Sequence, residues 1–482
     1  MLLDQISENE KAKEQIVSGH PNHDPAGWRQ LPATFEPLDP KKIEDLLAKE
    51  WDLFRATYPR SGEHNQRSSK TLPLGVTSSF QHWDPYPVTV VKARGAYVRD
   101  VDGRKLLDLS MGFGAMLAGH LHPRIVREVQ KTLRRTGTLF ATPSTTATEA
   151  AEKFKKRFGL DMIRFTNSGT ESTMYTVRIA KAVTRKKGLV KIEGGFHGGY
   201  DALQVSVKPK LENIGPAEKP VPYVPFEVEA GEIYTVSYND ANRLEELFKE
   251  RGDSIAAVMM EPIIENLSII LPDEGYLRRV RELCDQYNVC LIFDEVKTGL
   301  TAGVAGAAKR VGVEPDLVCL AKSIGGGLPV AAFGGRQKYM DAVVDGRMPH
   351  LGTYNGSPIV LAAALAMDAI STEEEINKAE KINIETMRKL NEIIEKYQLP
   401  AHTVGFGVKG AVTWSPNPVR NYRDFKALDF NLAELSWIWG INRGVLTPPG
   451  LDEQWLVSFA HKQRDMDLLV SAFDALGKAL RS

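Results

Sequence analysis

The segment that most constrains the fold of this chain is a short apolar run that ends in a lysine and then three glycines. The run Leu317–Leu320 has no charged residue and predicts a strand buried inside a parallel sheet. Lys322 follows it, and the glycines at 325–327 allow the backbone to turn sharply and approach a ligand closely. Desolvation at the carboxyl edge of a sheet lowers the pKa of an amine and makes a lysine a Schiff-base nucleophile. A surface lysine beside a flexible turn is the alternative that this segment alone leaves open.

A second apolar run, residues 289–293, leads into the two carboxylates Asp294 and Glu295. A carboxylate at a strand end can act as a structural cap, as a metal ligand or as the partner of a protonated ring nitrogen. A metal site requires further His, Cys or carboxylate ligands at close spacing, and that pattern is missing here, so we expect no metal. Pyridoxal phosphate requires a lysine for its aldehyde and a carboxylate that keeps its pyridinium nitrogen charged. The sequence offers Lys322 and Asp294 for these two roles.

A phosphate site is predicted where the strand Met162–Thr166 passes through a small polar turn into an amphipathic helix. The turn, residues 167–171, reads Asn-Ser-Gly-Thr-Glu. The free N–H groups and the positive dipole end of a helix N-terminus bind anions, and Ser168 and Thr170 can add hydroxyl donors. The same segment also fits an ordinary helix N-cap with an acidic first turn.

A fourth segment, residues 190–200, places Phe196 and His197 among four glycines after a short strand. An aromatic ring in such a loop can lie flat against the ring of a cofactor. A core phenylalanine followed by a histidine in a turn is the alternative, and both interpretations stay open on this segment alone.

Taken in their order along the chain, as residues 167–171, 194–199, 294–296 and 322–329, the four segments resemble the class III aminotransferases, pyridoxal-phosphate enzymes of fold type I. The resemblance is nearest to the branch that contains glutamate-1-semialdehyde aminomutase and the β-amino-acid aminotransferases, and it runs from about Val76 to the C-terminus. Each motif is weak alone, and together in this order they are specific for the family. Further segments that match the family are residues 100–104, 119–123, 238–240, 258–262 and 352–358.

The resemblance implies the α/β fold of type I PLP-dependent transferases, with a large domain whose mostly parallel sheet is covered by helices. A smaller α+β domain would be built from the N- and C-terminal segments. The expected divisions are an N-terminal extension over 1–40, an N-terminal segment with a helix and small strands over 41–111, the large PLP-binding domain over 112–371 and the C-terminal small domain over 372–482.

Within these divisions, the spacing of apolar residues predicts helices over 41–58, 382–397 and 466–480. Residues 59–72 are polar and predict a link without regular structure. Residues 372–380 are charged and predict a transition between the domains.

The resemblance also implies residue roles around the cofactor. Lys322 and Asp294 would be catalytic, because Lys322 would hold the cofactor as a Schiff base and move a proton, while Asp294 would hold the pyridinium proton. Val296 and Phe196 would pack on opposite faces of the ring. Most relatives have tyrosine at the position of Phe196. The other cofactor-binding residues that the resemblance implies are Ser168, Gly169 and Thr170 at the phosphate, and Glu261 and Asn266 near the ring. His197 would be structural.

Thr353 lies in a loop that, in this family, reaches across a dimer interface to the cofactor phosphate of the neighbouring protomer. The resemblance therefore implies a homodimer whose two sites are each completed by the partner subunit. The remaining partners would be small-molecule amine and carbonyl substrates.

The substrate end differs from the family pattern. Aminomutases carry a Ser-x-x-Arg element for the substrate carboxylate, and here Ser78 is kept while Gln81 stands at the arginine position. Glutamine cannot form the charge-assisted bidentate pair that a carboxylate prefers. Trp83 and Phe113, together with Phe80, predict an apolar pocket, so we expect an amine with an apolar body as the donor. The cations that could still bind a carboxylate are Lys297, Arg94 and Arg443.

Composition narrows the class of protein. Lys plus Arg and Asp plus Glu are 61 each, so there is no electrostatic case for binding nucleic acid. Cys290 and Cys319, two of the three cysteines, lie in predicted buried strands, which fits reduced thiols and a cytoplasmic enzyme. No apolar stretch approaches the roughly 20 residues of a membrane helix, so we expect no membrane partner.

The sequence supports two function classes. The first is an aminotransferase that moves an amino group from a primary amine or a non-α amino acid to a keto acid or an aldehyde, through a pyridoxamine phosphate intermediate. The second is an intramolecular aminomutase of the glutamate-1-semialdehyde type. A cofactor-binding scaffold without turnover is a third alternative, and the presence of both Lys322 and Asp294 argues against it.

Overall fold

The computed structural model describes residues 27–140, 142–215, 220–223, 232–448 and 454–482, and its centre is a seven-stranded sheet. Five neighbouring strands pair in parallel, and the strand Ala331–Gly335 runs antiparallel to both of its neighbours. The strands are largely buried, as their near-continuous apolar sequences require. This confirms the expected α/β fold with a mostly parallel sheet. In spatial order the strands are Met162–Thr166, Ala331–Gly335, Leu317–Leu320, Cys290–Glu295, Ile255–Met260, Gly188–Ile192 and Ile233–Val236.

Helices cover this sheet and build the remainder of the protein. The helix Gly169–Thr184 packs against most strands of the sheet, and Pro358–Ile370 packs on two other helices, Pro123–Arg135 and Thr145–Phe158. The further α-helices of the described residues are Pro40–Thr57, Pro59–Ser68, Ala241–Arg251, Tyr276–Gln286, Gly306–Val311, Gln337–Val344, Glu373–Lys396, Tyr422–Lys426, Phe430–Asn442 and Gln463–Arg481.

Two four-stranded sheets combine N-terminal with C-terminal parts of the chain. The first contains Trp28–Gln30, His402–Phe406, Lys409–Thr413 and Trp455–Leu456, all paired antiparallel. The second contains Val90–Arg94, Tyr97–Asp100, Lys105–Asp108 and Val445–Leu446. These pairings fit a smaller α+β unit made from both ends of the chain, and the domain boundaries at 112 and 372 stay predictions.

The structure differs from two of the secondary-structure predictions. Residues 59–72 contain the helix Pro59–Ser68, which begins at a proline because the first helical turn does not need the missing N–H. The helix predicted over 382–397 begins earlier, at Glu373, and ends at Lys396. The Thr372 side chain accepts the N–H of Glu375, so the acidic stretch forms the capped first turn, where negative charge is stabilised by the helix dipole.

Part of the predicted N-terminal extension is integrated into the fold. Trp28–Gln30 pairs with His402–Phe406, and residues 1–26 of that extension lie outside the described residues. In the described part of the chain, no helix combines the length and the apolar character that crossing a membrane requires.

The register of the central sheet brings two chemically important strand ends together. Leu317–Leu320 and Cys290–Glu295 pair in parallel, with Cys319 opposite Asp294 and Leu320 opposite Glu295. Because parallel neighbours end at the same edge of the sheet, Lys322 leaves the sheet beside Asp294.

Candidate active site

A cavity of about 480 Å³ lies at the carboxyl edge of the central sheet. It is lined by the end of Cys290–Glu295, by the turn after Leu317–Leu320 and by the start of the helix Gly169–Thr184. Open α/β sheets bind their ligands at this edge. The predicted cofactor residues that line the cavity are Ser168, Gly169, Thr170, Phe196, Glu261, Asn266, Asp294, Val296 and Lys322.

Lys322 begins a short 3₁₀ turn and has a left-handed backbone, with a φ of 49°. Residues with side chains adopt this conformation rarely, and backbone strain of this kind concentrates at functional sites. Gly326 and Gly327 also have positive φ, and a Cβ on Gly327 would lie 2.6 Å from the sulfur of Met116. The glycine run is therefore required by the turn that carries Lys322 at the cavity.

Asp294 is buried, and both of its carboxylate oxygens have partners. Oδ2 lies 2.7 Å from Nδ1 of His197, and Oδ1 accepts the N–H of Val296 at 3.0 Å. Each carboxylate oxygen can accept two hydrogen bonds, so Asp294 retains the capacity for a ring N–H. The sequence did not predict the contact with His197, because the two residues are 97 positions apart. In the described part of the chain, no cluster of three or more His, Cys, Asp or Glu side chains could hold a metal ion.

The start of the helix Gly169–Thr184 forms a capping box. The hydroxyl of Ser168 accepts the N–H of Glu171 at 3.2 Å, and the Glu171 carboxylate accepts the N–H of Ser168 at 3.2 Å. This is the N-cap that the sequence left open beside the phosphate site, and the two are compatible. The N–H groups of Gly169 and Thr170 have no acceptor within the helix, which leaves them for an anion.

Two glycines shape a cradle at this helix start. A Cβ on Gly169 would come within 3.1 Å of both methyl groups of Val296, and one on Gly198 would come within 2.4 Å of the Thr170 hydroxyl oxygen. That oxygen accepts the N–H of Gly199 at 3.1 Å, so the hydroxyl proton can be donated to an anion. The cradle has the donors and the space that a phosphate group requires.

The cavity next to the cradle has surfaces that suit a flat ring. Phe196 and Val296 both line it. The ring of Phe196 packs edge-on against that of Phe80, with the centroids 5.4 Å apart. The backbone carbonyl oxygen of Phe196 accepts a hydrogen bond from Nδ2 of Asn266 at 3.3 Å. Apolar and aromatic side chains of this kind pack favourably against a planar ring. A lysine, a buried carboxylate, a ring-sized apolar surface and an anion cradle therefore fit pyridoxal phosphate.

Glu261 is buried in the wall of the cavity, and its pKa is raised to about 7, first by burial and then by the negative charge of Asp294. Its Oε2 accepts the N–H of Glu265 at 2.9 Å, and its Oε1 has no partner among the described residues. A carboxyl group with this pKa is partly protonated near neutral pH, so it can donate or accept a hydrogen bond in the cavity.

The structure brings only part of the predicted substrate pocket to the cavity. Phe80 lines the cavity, and Phe113 packs against it with the ring centroids 6.1 Å apart. Ser78 and Gln81 are exposed. The side-chain oxygen of Gln81 accepts the hydroxyl of Thr77 at 2.8 Å, so this glutamine contacts its own turn rather than the cavity.

The predicted position of Trp83 in the substrate pocket is corrected by the structure, because Trp83 does not line the cavity of the protomer. Its ring packs in an aromatic cluster, where its centroid lies 4.7 Å from that of Trp437 and 5.1 Å from that of Phe54. These partners come from the helices Phe430–Asn442 and Pro40–Thr57. The Trp83 side chain is half-buried in this cluster.

The three candidate cations differ in where their charge lies. Arg443 contacts the Glu50 carboxylate at 2.9 and 3.0 Å, and its guanidinium stacks over an indole ring. Arg94 lies on the exposed strand Val90–Arg94. Lys297, in contrast, is buried and lines the cavity that contains Lys322.

Thr353 lines a second cavity, of about 660 Å³, rather than the cavity that contains Lys322. Asn355 lines this second cavity too, and its Oδ1 accepts Nδ2 of Asn167 at 2.9 Å. Asn167 precedes the helix cap, so this contact connects the second cavity to the anion cradle. The role of Thr353 across an interface stays a prediction.

Residues 79–429 match the aminotransferase class-III family. A relative from Thermomicrobium roseum, named glutamate-1-semialdehyde 2,1-aminomutase, is 36% identical over 422 residues, which cover 86% of this chain and 96% of the relative. An omega-transaminase from Sphaerobacter thermophilus has a similar structure, with 28% identity, a TM-score of 0.82 and coverage of 88% of this chain and 98% of that chain. A β-phenylalanine aminotransferase from Variovorax paradoxus is 26% identical with a TM-score of 0.81, over 90% of this chain and 97% of that chain.

The family match spans most of the chain, and the relatives align along almost their whole length. The contacts at the sheet edge provide, independently, what pyridoxal phosphate chemistry requires of a protein. The chain therefore belongs to the class III aminotransferases, a family of pyridoxal-phosphate-dependent enzymes.

Proposed function

We propose that this enzyme transfers the amino group of a primary amine or a non-α amino acid to a keto acid or an aldehyde. The observation that carries this proposal is the position of Lys322 and Asp294 at neighbouring strand ends of one cavity. The aromatic surface of Phe80, Phe113 and Phe196 supports a donor with an apolar body, such as an arylalkyl amine.

Two residues would perform the proton chemistry. Pyridoxal phosphate, when bound, supplies an electron sink that acidifies the hydrogen on the donor carbon. Lys322 would bind the cofactor aldehyde through Nζ, and the same Nζ, when not in that bond, would move the proton of the donor carbon. Asp294 would hold the proton on the ring nitrogen, and the contact with His197 would orient the Asp294 carboxylate.

The remaining contacts would bind and orient the cofactor. Gly169 and Thr170 would donate to the phosphate, with Ser168 holding the helix start in place through its cap. Val296 and Phe196 would pack on the two faces of the ring. Glu261 and Asn266 line the same wall and would hold the polar edge of the ring.

An intramolecular aminomutase is the second candidate function. The relatives at up to 36% identity that bear the name glutamate-1-semialdehyde 2,1-aminomutase favour it. The exposed position of Gln81, which replaces the arginine of the aminomutase pattern, supports the aminotransferase instead.

We further propose a homodimer in which Thr353 contacts the cofactor phosphate of the partner, and a cytoplasmic location. Leu351 and Tyr354, on either side of Thr353, are 77% and 64% exposed. Large apolar side chains exposed next to each other support a protein interface there. The three cysteines are buried and unpaired, which suits a reducing compartment.

The test of the proposed function uses an amine donor without an acceptor. A transaminase should convert its cofactor once, seen as a change in cofactor absorbance, and then stop until a keto acid or an aldehyde is added. An aminomutase would turn over repeatedly on glutamate 1-semialdehyde alone, and that result would replace the proposal with the second candidate.

The Lys322→Ala variant should keep the fold and lose turnover by several orders of magnitude, because no Schiff base can form. Lys338→Ala is the matched control, since the Lys338 side chain is 57% exposed. Borohydride reduction that labels a lysine other than Lys322 would contradict the assignment.

A further inference from the structure

A buried lysine of the cavity wall has no role in the chemistry described so far. Lys297 follows Val296 directly, lines the cavity and is only 5% exposed. Its Nζ donates to the carbonyl oxygen of Glu265 at 2.7 Å. A buried ammonium is costly unless polar groups compensate it, and the carbonyl oxygen of Glu265 is one such group.

The backbone of Lys297 is held as firmly as its side chain. Its carbonyl oxygen accepts Nζ of Lys409 at 3.0 Å and the hydroxyl of Thr301 at 2.6 Å. Nζ of Lys409 also contacts the Glu265 carboxylate at 2.5 Å, and both of these side chains are almost fully buried. The cation is therefore carried by a rigid wall, which lets it meet a ligand at a defined position.

The charge of Lys297 acts on groups inside the cavity. Burial and then the charge of Asp294 raise the pKa of Glu261, and the positive charge of Lys297 opposes that rise. Lys297 also has a further interaction in the structure, so an incoming anion would join an existing polar network rather than meet a bare charge. An ammonium has three N–H donors, which allows it to take part in several such contacts at once.

The other cations that the sequence offered for a carboxylate do not lie at this wall. Arg443 is paired with Glu50, and Arg94 is on an exposed strand. Among the described residues that line the cavity, Lys297 and Lys322 are the two lysines, and no arginine lines it. Lys322 is assigned to the cofactor, so Lys297, which also keeps its contacts with the wall, is the second lysine that lines the cavity.

We propose that Lys297 is a specificity-determining residue that binds the carboxylate of the carbonyl acceptor, and that the acceptor is therefore a keto acid rather than a neutral aldehyde. The inference rests on the proposed aminotransferase function and names the substrate class of its second half-reaction. The apolar donor would contact Phe80 and Phe113 instead, so one cavity would serve both a neutral amine and an anionic acceptor.

The kinetic test compares two acceptors that differ only in charge. Enzyme in its amino-cofactor form is mixed with pyruvate or with its neutral analogue pyruvamide, and the ratio of kcat/KM for the two is measured. In Lys297→Met that ratio should fall by about thirtyfold or more, since a hydrogen bond to a charged group is lost. Lys297→Arg keeps the charge and should keep most of the ratio. An unchanged ratio in Lys297→Met would overturn the proposal.

A binding measurement separates this proposal from the proposed function. Calorimetry of 3-phenylpropionate and of 3-phenylpropionamide with the holoenzyme needs no turnover. Lys297→Met should weaken the acid about tenfold or more relative to the amide. Equal weakening of both ligands would mean that Lys297 only supports the wall, and would overturn the proposal. Lys297→Gln replaces the methionine variant if the latter does not fold.

The results of the kinetic test and the binding test distinguish failure of the proposed function from failure of the Lys297 proposal. A wild-type enzyme that no amine converts to the amino-cofactor form would refute the aminotransferase function. The acid-to-amide binding ratio would then still decide whether Lys297 binds a carboxylate.

Discussion

Replacement of Asp294 by asparagine changes the electrostatics of the site and keeps its shape. The amide oxygen can keep the 3.0 Å contact with the N–H of Val296. The amide N–H₂ then faces Nδ1 of His197, where Oδ2 now lies at 2.7 Å. Because an amide donates where a carboxylate accepts, His197 has to present Nδ1 as an acceptor and carry its proton on Nε2. Nε2 is buried without a partner in the described part of the chain, so this change is unfavourable but sterically possible.

Two losses set the magnitude for the Asp294→Asn variant. A hydrogen bond to a charged group contributes about 1.5–3 kcal/mol, and that contribution is lost between asparagine and the ring. A neutral amide also cannot keep the ring nitrogen protonated, which weakens the electron sink. Together these losses should raise the barrier by about 3 kcal/mol or more, so the rate should fall by roughly a hundredfold or more.

The assay is a stopped-flow measurement of the first half-reaction with saturating amine, followed through the cofactor absorbance. The matched control is Glu295→Gln, the next residue of the same strand. The Glu295 carboxylate accepts the N–H groups of Ala307 and Ala308 at 2.6 and 2.9 Å and does not line the cavity of Lys322. The control should lower thermal stability and slow the half-reaction far less. A half-reaction within a few-fold of wild type in Asp294→Asn, with cofactor bound, would refute contact between Asp294 and the ring nitrogen.

Three further predictions concern binding and stability. Gly169→Ala places a Cβ 3.1 Å from both Val296 methyl groups, so the Kd for pyridoxal phosphate should rise, and an unchanged Kd in an absorbance titration would contradict the cradle. Burial raises the folded-state pKa of Glu261 from 4.5 to about 7, so the folded state binds more protons between these values. The free energy of unfolding of wild type, relative to that of Glu261→Gln, should therefore fall by about 3 kcal/mol as the pH rises from 4.5 to 7. Urea unfolding at several pH values measures this difference, and a difference that does not change with pH would contradict the raised pKa of Glu261. Trp83→Ala should lower Tm with the donor preference kept, whereas Phe80→Ala should raise KM for arylalkyl amines with little change in Tm; the reverse pattern would restore Trp83 to the pocket.

The central features of the site could be predicted from local sequence. Leu317–Leu320 and Cys290–Glu295 are apolar runs that end abruptly, and such runs form parallel strands whose ends meet at one edge. The turn after Met162–Thr166 carries its own cap signal, so the helix start and its anion site could be predicted as well. These features depend on residues that are close together in the chain, and hydrophobic periodicity describes them adequately.

Other boundaries depended on weaker local signals. The helix Pro59–Ser68 is polar along its length, so its apolar periodicity is too weak to distinguish it from a link. The acidic start of Glu373–Lys396 has the same property, although the Thr372 cap and three acidic residues in the first turn were a signal that could have located it.

By itself the sequence determined the mostly parallel sheet, the strand ends that carry Lys322 and Asp294, and the capped helix start, since each follows from the pattern of neighbouring residues. Only the tertiary structure decided that His197 contacts Asp294, that Trp83 packs against aromatic residues of two helices and that Lys297 lines the cavity. These contacts join residues far apart in the chain, or depend on the direction in which one side chain points. Such directions are set by close packing of the whole domain, which local periodicity does not encode.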